Sequence, residues 1–290
     1  MERKSSPGNG LSTSDWYTAQ TSGSFFDVAG PRGTPRSANI FDAVAPTITQ
    51  SSIPDSQILP SGNYTQTYAY TDDVGISATP VTTFLLEKNN GSGVYNDVTS
   101  AGVTNSGVSA SAANFTLRNL AAGAYRATFS VRDSASNPAQ KITIFYVDNA
   151  QVSVVNTSVK IGAVFSDTLK TGVTKSVITV RTIGTPFDLK LTGNTTLDAG
   201  INAIPLWNSG TGYGYGFACT PSANALPDNC SATIQAVNNT TIGTLATAAP
   251  DINGNLKTYT YTVEYSTKVD SVKPAGTYTG STLLDPHFTY

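Results

Sequence analysis

The chain has 290 residues, 39% of them hydrophobic and only 12% charged, with a formal net charge of −2; roughly 25% charged is usual in a globular domain. One His and two Cys exclude a multi-histidine or cysteine-rich metal centre, and any Ser-His-Asp triad would have to use His287. Basic residues never run beyond Arg3-Lys4, which argues against nucleic acid as a partner, and no apolar stretch approaches the length of a membrane span.

Low charge, with β-branched and aromatic residues in short alternating runs, sets the chain apart from disordered sequences. Thr, Val and Tyr are frequent, and no segment sustains an apolar pattern at helical spacing, so the expected class is all-β.

Residues 1–44 are rich in Gly, Ser and Pro and weak in periodicity, as in Gly30-Pro31-Arg32-Gly33-Thr34-Pro35. Such a segment buries little of its own surface and is predicted to be an extended arm. Its apolar pairs, Phe25-Phe26 and Ile40-Phe41, either pin the arm to its own domain or insert into a neighbouring subunit. Residues 1–30 hold no apolar h-region of a secretory signal, which leaves the export route open.

Residues 45–149 are predicted to form the first sandwich, with strands over 47–53, 64–71, 82–87, 95–99, 113–117, 125–133 and 141–147. Turn signals such as Asn89-Asn90-Gly91-Ser92 and Ser136-Asn137-Pro138 separate them. Alternation is clearest in the sixth, where Tyr125, Ala127, Phe129 and Val131 share one face and Arg126, Thr128, Ser130 and Arg132 the other. One dry and one wet face is the pattern of a two-layer sandwich, and about seven short strands in about 100 residues match an immunoglobulin-like domain.

The residues Leu120-Ala-Ala-Gly123-Ala-Tyr125, Val131-Arg132-Asp133 with Asn137, and Phe145-Tyr146-Val147-Asp148-Asn149 resemble the closing half of bacterial Ig-like domains. Those repeats occur in cell-surface proteins, adhesins and extracellular enzymes, so the resemblance specifies fold more than function. It implies a tyrosine corner at Tyr125, its ring in the core and its hydroxyl on the backbone, and turn capping by Asp133 and Asn137.

Residues 150–290 are predicted to form a second sandwich, with strands over 152–155, 177–181, 188–192, 213–218, 232–237, 257–267 and 277–284. Tyr259, Tyr261, Val263 and Tyr265 share one strand face. Lys268-Val269-Asp270 and Lys273-Pro274-Ala275-Gly276-Thr277-Tyr278-Thr279 resemble a phrase found in β-sandwich domains of Gram-positive and related bacterial surface proteins. Tyr278 repeats the Gly-x-Tyr step. The last strand is expected to break at Asp285-Pro286-His287, which suggests an unusual terminus or a closing strand supplied by another subunit.

Cys219 and Cys230 flank a short loop and are expected to form a disulfide, the alternative being buried thiols; a disulfide implies an oxidising compartment. Asn-x-Ser/Thr sequons at Asn63, Asn90, Asn114, Asn156, Asn194 and Asn239 admit glycosylation, although an Asn- and Thr-rich chain produces such triplets by chance. Tyr213, Tyr215 and Phe217, spaced by Gly and near Trp207, form either an aromatic platform for a sugar or subunit, or core rings opposite glycines that admit another element. Asp251-Ile-Asn253-Gly254-Asn255 reads as a turn rather than a calcium loop. Asp72 and Asp73 have two readings, turn caps or a calcium site with Asp133 or Asp148; no other cofactor is called for.

No nucleophile elbow, phosphate-binding loop or zinc-protease motif is present, and no enzyme is expected. The sequence reading is therefore a non-enzymatic extracellular structural protein of the cell surface. Two Ig-like sandwiches would stand behind an arm that self-associates into a filament or coat. The alternatives are an adhesin or carbohydrate-binding module with a glycan or host-surface ligand, and a virion surface or decoration protein.

Overall fold

The computed structural model describes residues 2–3, 16–17, 42–199, 202–221, 230–271, 273 and 278–290. Its regular structure is almost entirely β. Two short segments, β1 (Glu2–Arg3) and β2 (Trp16–Tyr17), pair antiparallel. Phe25, Phe26, Ile40 and Phe41 lie outside the described residues.

The next strands are β3 (Thr47–Ser51), β4 (Ile58–Pro60), β5 (Gly62–Thr71), β6 (Val81–Asn89), β7 (Tyr95–Asp97), β8 (Val103–Val108), β9 (Ala112–Leu120), β10 (Gly123–Arg132) and β11 (Pro138–Asp148), with one helical turn, α1 (Thr99–Gly102). They build two sheets, ordered β3-β5-β9-β8 and β4-β11-β10-β6-β7. Period-two alternation explains the layering. Along β10, Tyr125, Ala127, Phe129 and Val131 are buried while Arg126, Thr128 and Ser130 are half-exposed. From the facing sheet, Tyr68, Tyr70 and Phe115 pack on Phe129, and the Tyr68 ring stacks on it at 4.5 Å. Offset ring pairs of this kind add about 0.5–1.5 kcal/mol beyond the area they bury.

The remaining strands are β12 (Gln151–Val155), β13 (Lys170–Thr171), β14 (Ser176–Thr182), β15 (Phe187–Gly193), β16 (Thr196–Ala199), β17 (Asn202–Pro205), β18 (Gly214–Pro221), β19 (Thr240–Leu245), β20 (Lys257–Lys268) and β21 (Thr282–Phe288). β20 is the spine. It pairs with β14 and β13 and with β18, and β12 extends the sheet beyond β14. A second layer runs β19-β15-β21, and β16-β17 form a hairpin. Ile178, Val180, Tyr259, Tyr261 and Val263 meet Leu189, Leu191 and Ile242 in a single core.

Three sequence expectations change. The final strand does not break at Asp285-Pro286-His287, because β21 pairs with β15 through those residues, Asp285 opposite Lys190 and Pro286 opposite Leu189. β21 is an edge strand, where a proline that donates no hydrogen bond is tolerated. Residues 232–237 hold only an isolated bridge from Gln235 to Phe217, and the strand of that region is β19. Its pairing with β15 slips at Leu189/Lys190, and its Gly243 lies under the Tyr261 ring. A Cβ there would fall within 2.2 Å of the Tyr261 hydroxyl, so an apolar run gives way to a glycine at the point of closest approach. Finally, β8 is an exposed, polar edge with no alternation to announce it.

Candidate functional site

The most heavily bonded polar centre joins the two sets of strands. Asp148, the last residue of β11, is fully buried, as are Thr182 and Thr185. Its Oδ2 accepts from the Thr182 hydroxyl, from the Ile183 N–H at 3.0 Å and from the Thr185 hydroxyl at 2.5 Å. Thr182 Oγ1 in turn accepts from the N–H groups of Gly184 and Thr185, at 3.0 and 2.8 Å. Beside this net, Ile183 packs with Ile58, Ala124 and Tyr146 from the first set. The contact continues at the Asp251–Asn255 turn, which the Asp251 carboxylate closes by accepting the Asn253 N–H at 2.9 Å. Asn255 donates to the Gly91 carbonyl at 3.1 Å. Gly254 has φ +74°, and a Cβ there would lie 2.1 Å from the Ala124 nitrogen, so only glycine lets this turn sit on β10. The seam is apolar around Ile183, and its hydrogen bonds gather on one oxygen of Asp148 while the other, Oδ1, is buried without a partner.

The aromatic segment divides. Tyr215 and Phe217 are core residues of β18, and the Tyr215 hydroxyl donates to the Asn194 carbonyl. On the opposite face Gly214 and Gly216 lie against Leu206, Trp207, Ile234 and Gln235, with no room for a side chain. Of the two readings of this segment, Tyr215 and Phe217 follow the one with core rings opposite glycines that admit another element, since β18 is covered on both faces. Tyr213, just before β18, is half-exposed; its hydroxyl donates to Asp167, and Lys268 sits 5.0 Å over its ring. Trp207 lines a shallow recess with Leu169, Thr233, Ile234 and Lys268.

The ring of Tyr125 is buried and stacked on Phe145 at 5.5 Å, and its hydroxyl donates to the Ala121 carbonyl at 2.8 Å. Burial pushes its phenol up to about 12. Tyr64, in the step Gly62-Asn63-Tyr64, makes the same four-residue reach to the Pro60 carbonyl at 2.5 Å, a corner the sequence reading did not single out. Tyr278 is half-buried against the second core.

Cys219 and Cys230 are joined by a disulfide, with Cα atoms 4.7 Å apart. Cys219 continues the buried face of Tyr215 and Phe217 two residues on, so the bridge anchors its loop to the core. Closing so short a loop constrains the unfolded chain by on the order of 2–3 kcal/mol. Reduction is expected to lower the melting temperature by several degrees in a thermal scan with and without reductant; superimposable scans would contradict it.

The four acidic candidates separate. Asp148 belongs to the seam described above, Asp73 is exposed, and Asp72 and Asp133 come together with Asp42, which the sequence reading did not single out. Asp133 also caps its turn by accepting the Asn137 backbone and side-chain N–H groups at 2.8 and 2.7 Å. His287 is exposed on β21. Of the sequon asparagines, Asn156 already donates its amide to the Lys175 carbonyl at 2.9 Å. Among the described residues no helix is long and apolar enough to cross a membrane.

No protein-family model matches this chain, and no curated protein does. Among solved structures, the titin domains Z1Z2 in complex with telethonin match at 14% identity and TM-score 0.26, over 83% of this chain and 95% of that one. A carbohydrate-binding module of the β-sandwich superfamily matches at 11% identity and TM-score 0.28, over 84% and 96%. The secreted serine protease VesC from Vibrio cholerae matches at 11% identity and TM-score 0.24, over 81% of this chain and 49% of that one. Likenesses this distant say nothing about activity, so the functional reading rests on the chain's own residues.

Proposed function

We propose that this protein is a non-enzymatic extracellular structural protein, a two-sandwich building block of a surface filament or coat in which the N-terminal arm engages a neighbouring copy. The observation that carries the reading is the seam at Asp148. A buried junction in which one carboxylate oxygen gathers three donors from the other sandwich favours a stiff unit, which suits a spacer or stalk that transmits load more than a pair of independent binding modules. The disulfide is compatible with an oxidising compartment.

Because β21 completes its sheet within the chain, an incoming strand needs another edge. β12 offers one, an edge strand among the described residues, with Val154 and Val155 exposed at 37% and 58%. Exposed apolar edge strands invite pairing unless they are covered, and a neighbour's arm would cover this one by β-augmentation.

Negative-stain microscopy and mass photometry would compare the full chain with a variant lacking residues 1–41. Fibres or closed oligomers of the full chain alone are expected. If both stay monomeric at high concentration, assembly through the arm is wrong. The runner-up, a carbohydrate-binding surface, draws on the Trp207 recess; it gains if a glycan array binds the monomer and Trp207→Ala loses that binding.

A further inference from the structure

We propose that Asp42, Asp72 and Asp133 form a divalent-cation site for calcium at one end of the first sandwich. Three chain segments supply it: the stretch before β3, the loop after β5 and the loop after β10. One carboxylate oxygen from each lies within 4.8 Å of the other two.

Acidic residues gather on many surfaces without a ligand. What separates this group is where its oxygens point. Asp42 is 3% exposed, deeper than a free carboxylate tolerates. Its Oδ1 accepts the Val44 N–H at 3.0 Å, while its Oδ2 is buried with no hydrogen-bond partner. Asp72 repeats the arrangement, with Oδ2 taking the Gly75 N–H at 2.9 Å and Oδ1 buried and unpartnered. Asp42 and Asp72 are thus each oriented by one backbone donor and present the other oxygen without a donor, while both oxygens of Asp133 accept from Asn137. Asn137 braces the third segment, holding Asp133 and donating to the Asp42 and Val44 carbonyls at 3.2 and 3.3 Å.

Among the described residues no side-chain cation pairs with these charges. The ion pairs of the described residues join Arg126 to Glu87, Lys175 to Glu264 and Lys268 to Asp167, all elsewhere. Arg132 is next to Asp133 in sequence but donates to the Ser136 carbonyl. The donor set is oxygen alone, which selects a hard cation; a loop-built site with irregular geometry suits calcium's six to eight flexible ligands better than magnesium's strict octahedron. A bound ion would tie the segment before β3 to both sheets and so fix the direction in which the preceding chain leaves the sandwich.

The test is isothermal titration calorimetry of the full chain, stripped with EDTA, against calcium chloride and magnesium chloride, beside Asp42→Asn and Asp72→Asn. One calcium per chain is expected, with a Kd on the order of 10⁻⁴–10⁻³ M, as in extracellular calcium modules. Magnesium should bind more weakly, and each variant should weaken calcium binding by roughly tenfold or more, since affinity follows ligand charge. Without metal, Asp42→Asn should melt at or above the stripped wild type, because it removes one buried like charge; a purely structural role for Asp42 predicts the reverse. Absence of binding at millimolar calcium overturns the site, as does calcium affinity unchanged in both variants. The truncation test above retains Asp42, so failure of arm-mediated assembly leaves this result standing, and the converse also holds.

Discussion

Replacing Asp148 with alanine is expected to lower the unfolding free energy by about 3–5 kcal/mol, and to turn one cooperative transition into two. The magnitude follows from what is left behind rather than from the carboxylate itself. The Thr182 hydroxyl, the Ile183 N–H and the Thr185 hydroxyl all converge on Asp148 Oδ2 inside a fully buried site. Each donor deprived of its acceptor away from water costs about 1–3 kcal/mol. Part of that loss is recovered because Thr182 Oγ1 still accepts from Gly184 and Thr185.

The split transition has a separate cause. Asp148 is contributed by the first sandwich and all of these donors by the second, so the defect lies on the seam and not in either core. Asp148→Asn should be milder, since an amide oxygen keeps the acceptor while its nitrogen enters the buried position of Oδ1, which has no partner to offer. Calorimetric melting of the three proteins checks the series. A single unchanged transition in the alanine variant would show that the seam carries little coupling, and the stiff-unit argument for a structural role would fall with it.

Much of the fold could be read from the sequence because its longest strands obey one rule. β10 and β20 alternate apolar and polar residues, and the alternation matches burial along β10 and along β20 as far as Glu264, beyond which Tyr265 is half-buried and Ser266 and Thr267 are both buried. The disulfide was legible for a similar reason, since two cysteines beside a short loop leave few options. The rest was hidden where pairing, not burial, defines the element. β8 is polar and exposed between its two end valines, β4 is three residues long, and β19 carries a glycine beneath Tyr261 at its register slip. The seam was invisible for another reason. Thr182, Gly184 and Thr185 look like any turn, and only their meeting with a residue some 35 positions earlier gives them a task. Asp42 escaped likewise, because a lone Asp in a Gly- and Ser-rich stretch carries no signal until the fold brings it to Asp72 and Asp133. For the aromatic run, spacing put Tyr213, Tyr215 and Phe217 on one side, whereas only Tyr215 and Phe217 belong to β18 and the core. The glycines were the better guide, since two of them in register mark where another segment lies close.

Alkaline pH is expected to unfold this protein cooperatively, and Tyr125 sets the scale. Its phenol titrates at about 12 in the folded chain against an ordinary value of 10, because burial penalises the phenolate more than the hydrogen bond to Ala121 favours it. Below about pH 10 both states hold the proton, and the full stability contribution is present. Between about 10 and 12 the unfolded chain releases it while the folded chain does not, so stability falls as pH rises. Over that window the loss from this residue approaches about 2–3 kcal/mol. Burial raises Tyr68, Tyr70, Tyr259 and Tyr265 in the same direction, so their losses accumulate toward the same limit. A large share of the phenolate absorbance should therefore arise together with the loss of far-ultraviolet dichroism, not ahead of it. Tyr125→Phe separates the two contributions of the residue. At neutral pH it forgoes the bond to Ala121 and should be less stable by about 1 kcal/mol. It has no proton to lose, so its deficit should shrink and then reverse as pH approaches 12. Parallel stability curves for the two proteins from pH 8 to 12 would rule out a titrating core tyrosine at this corner.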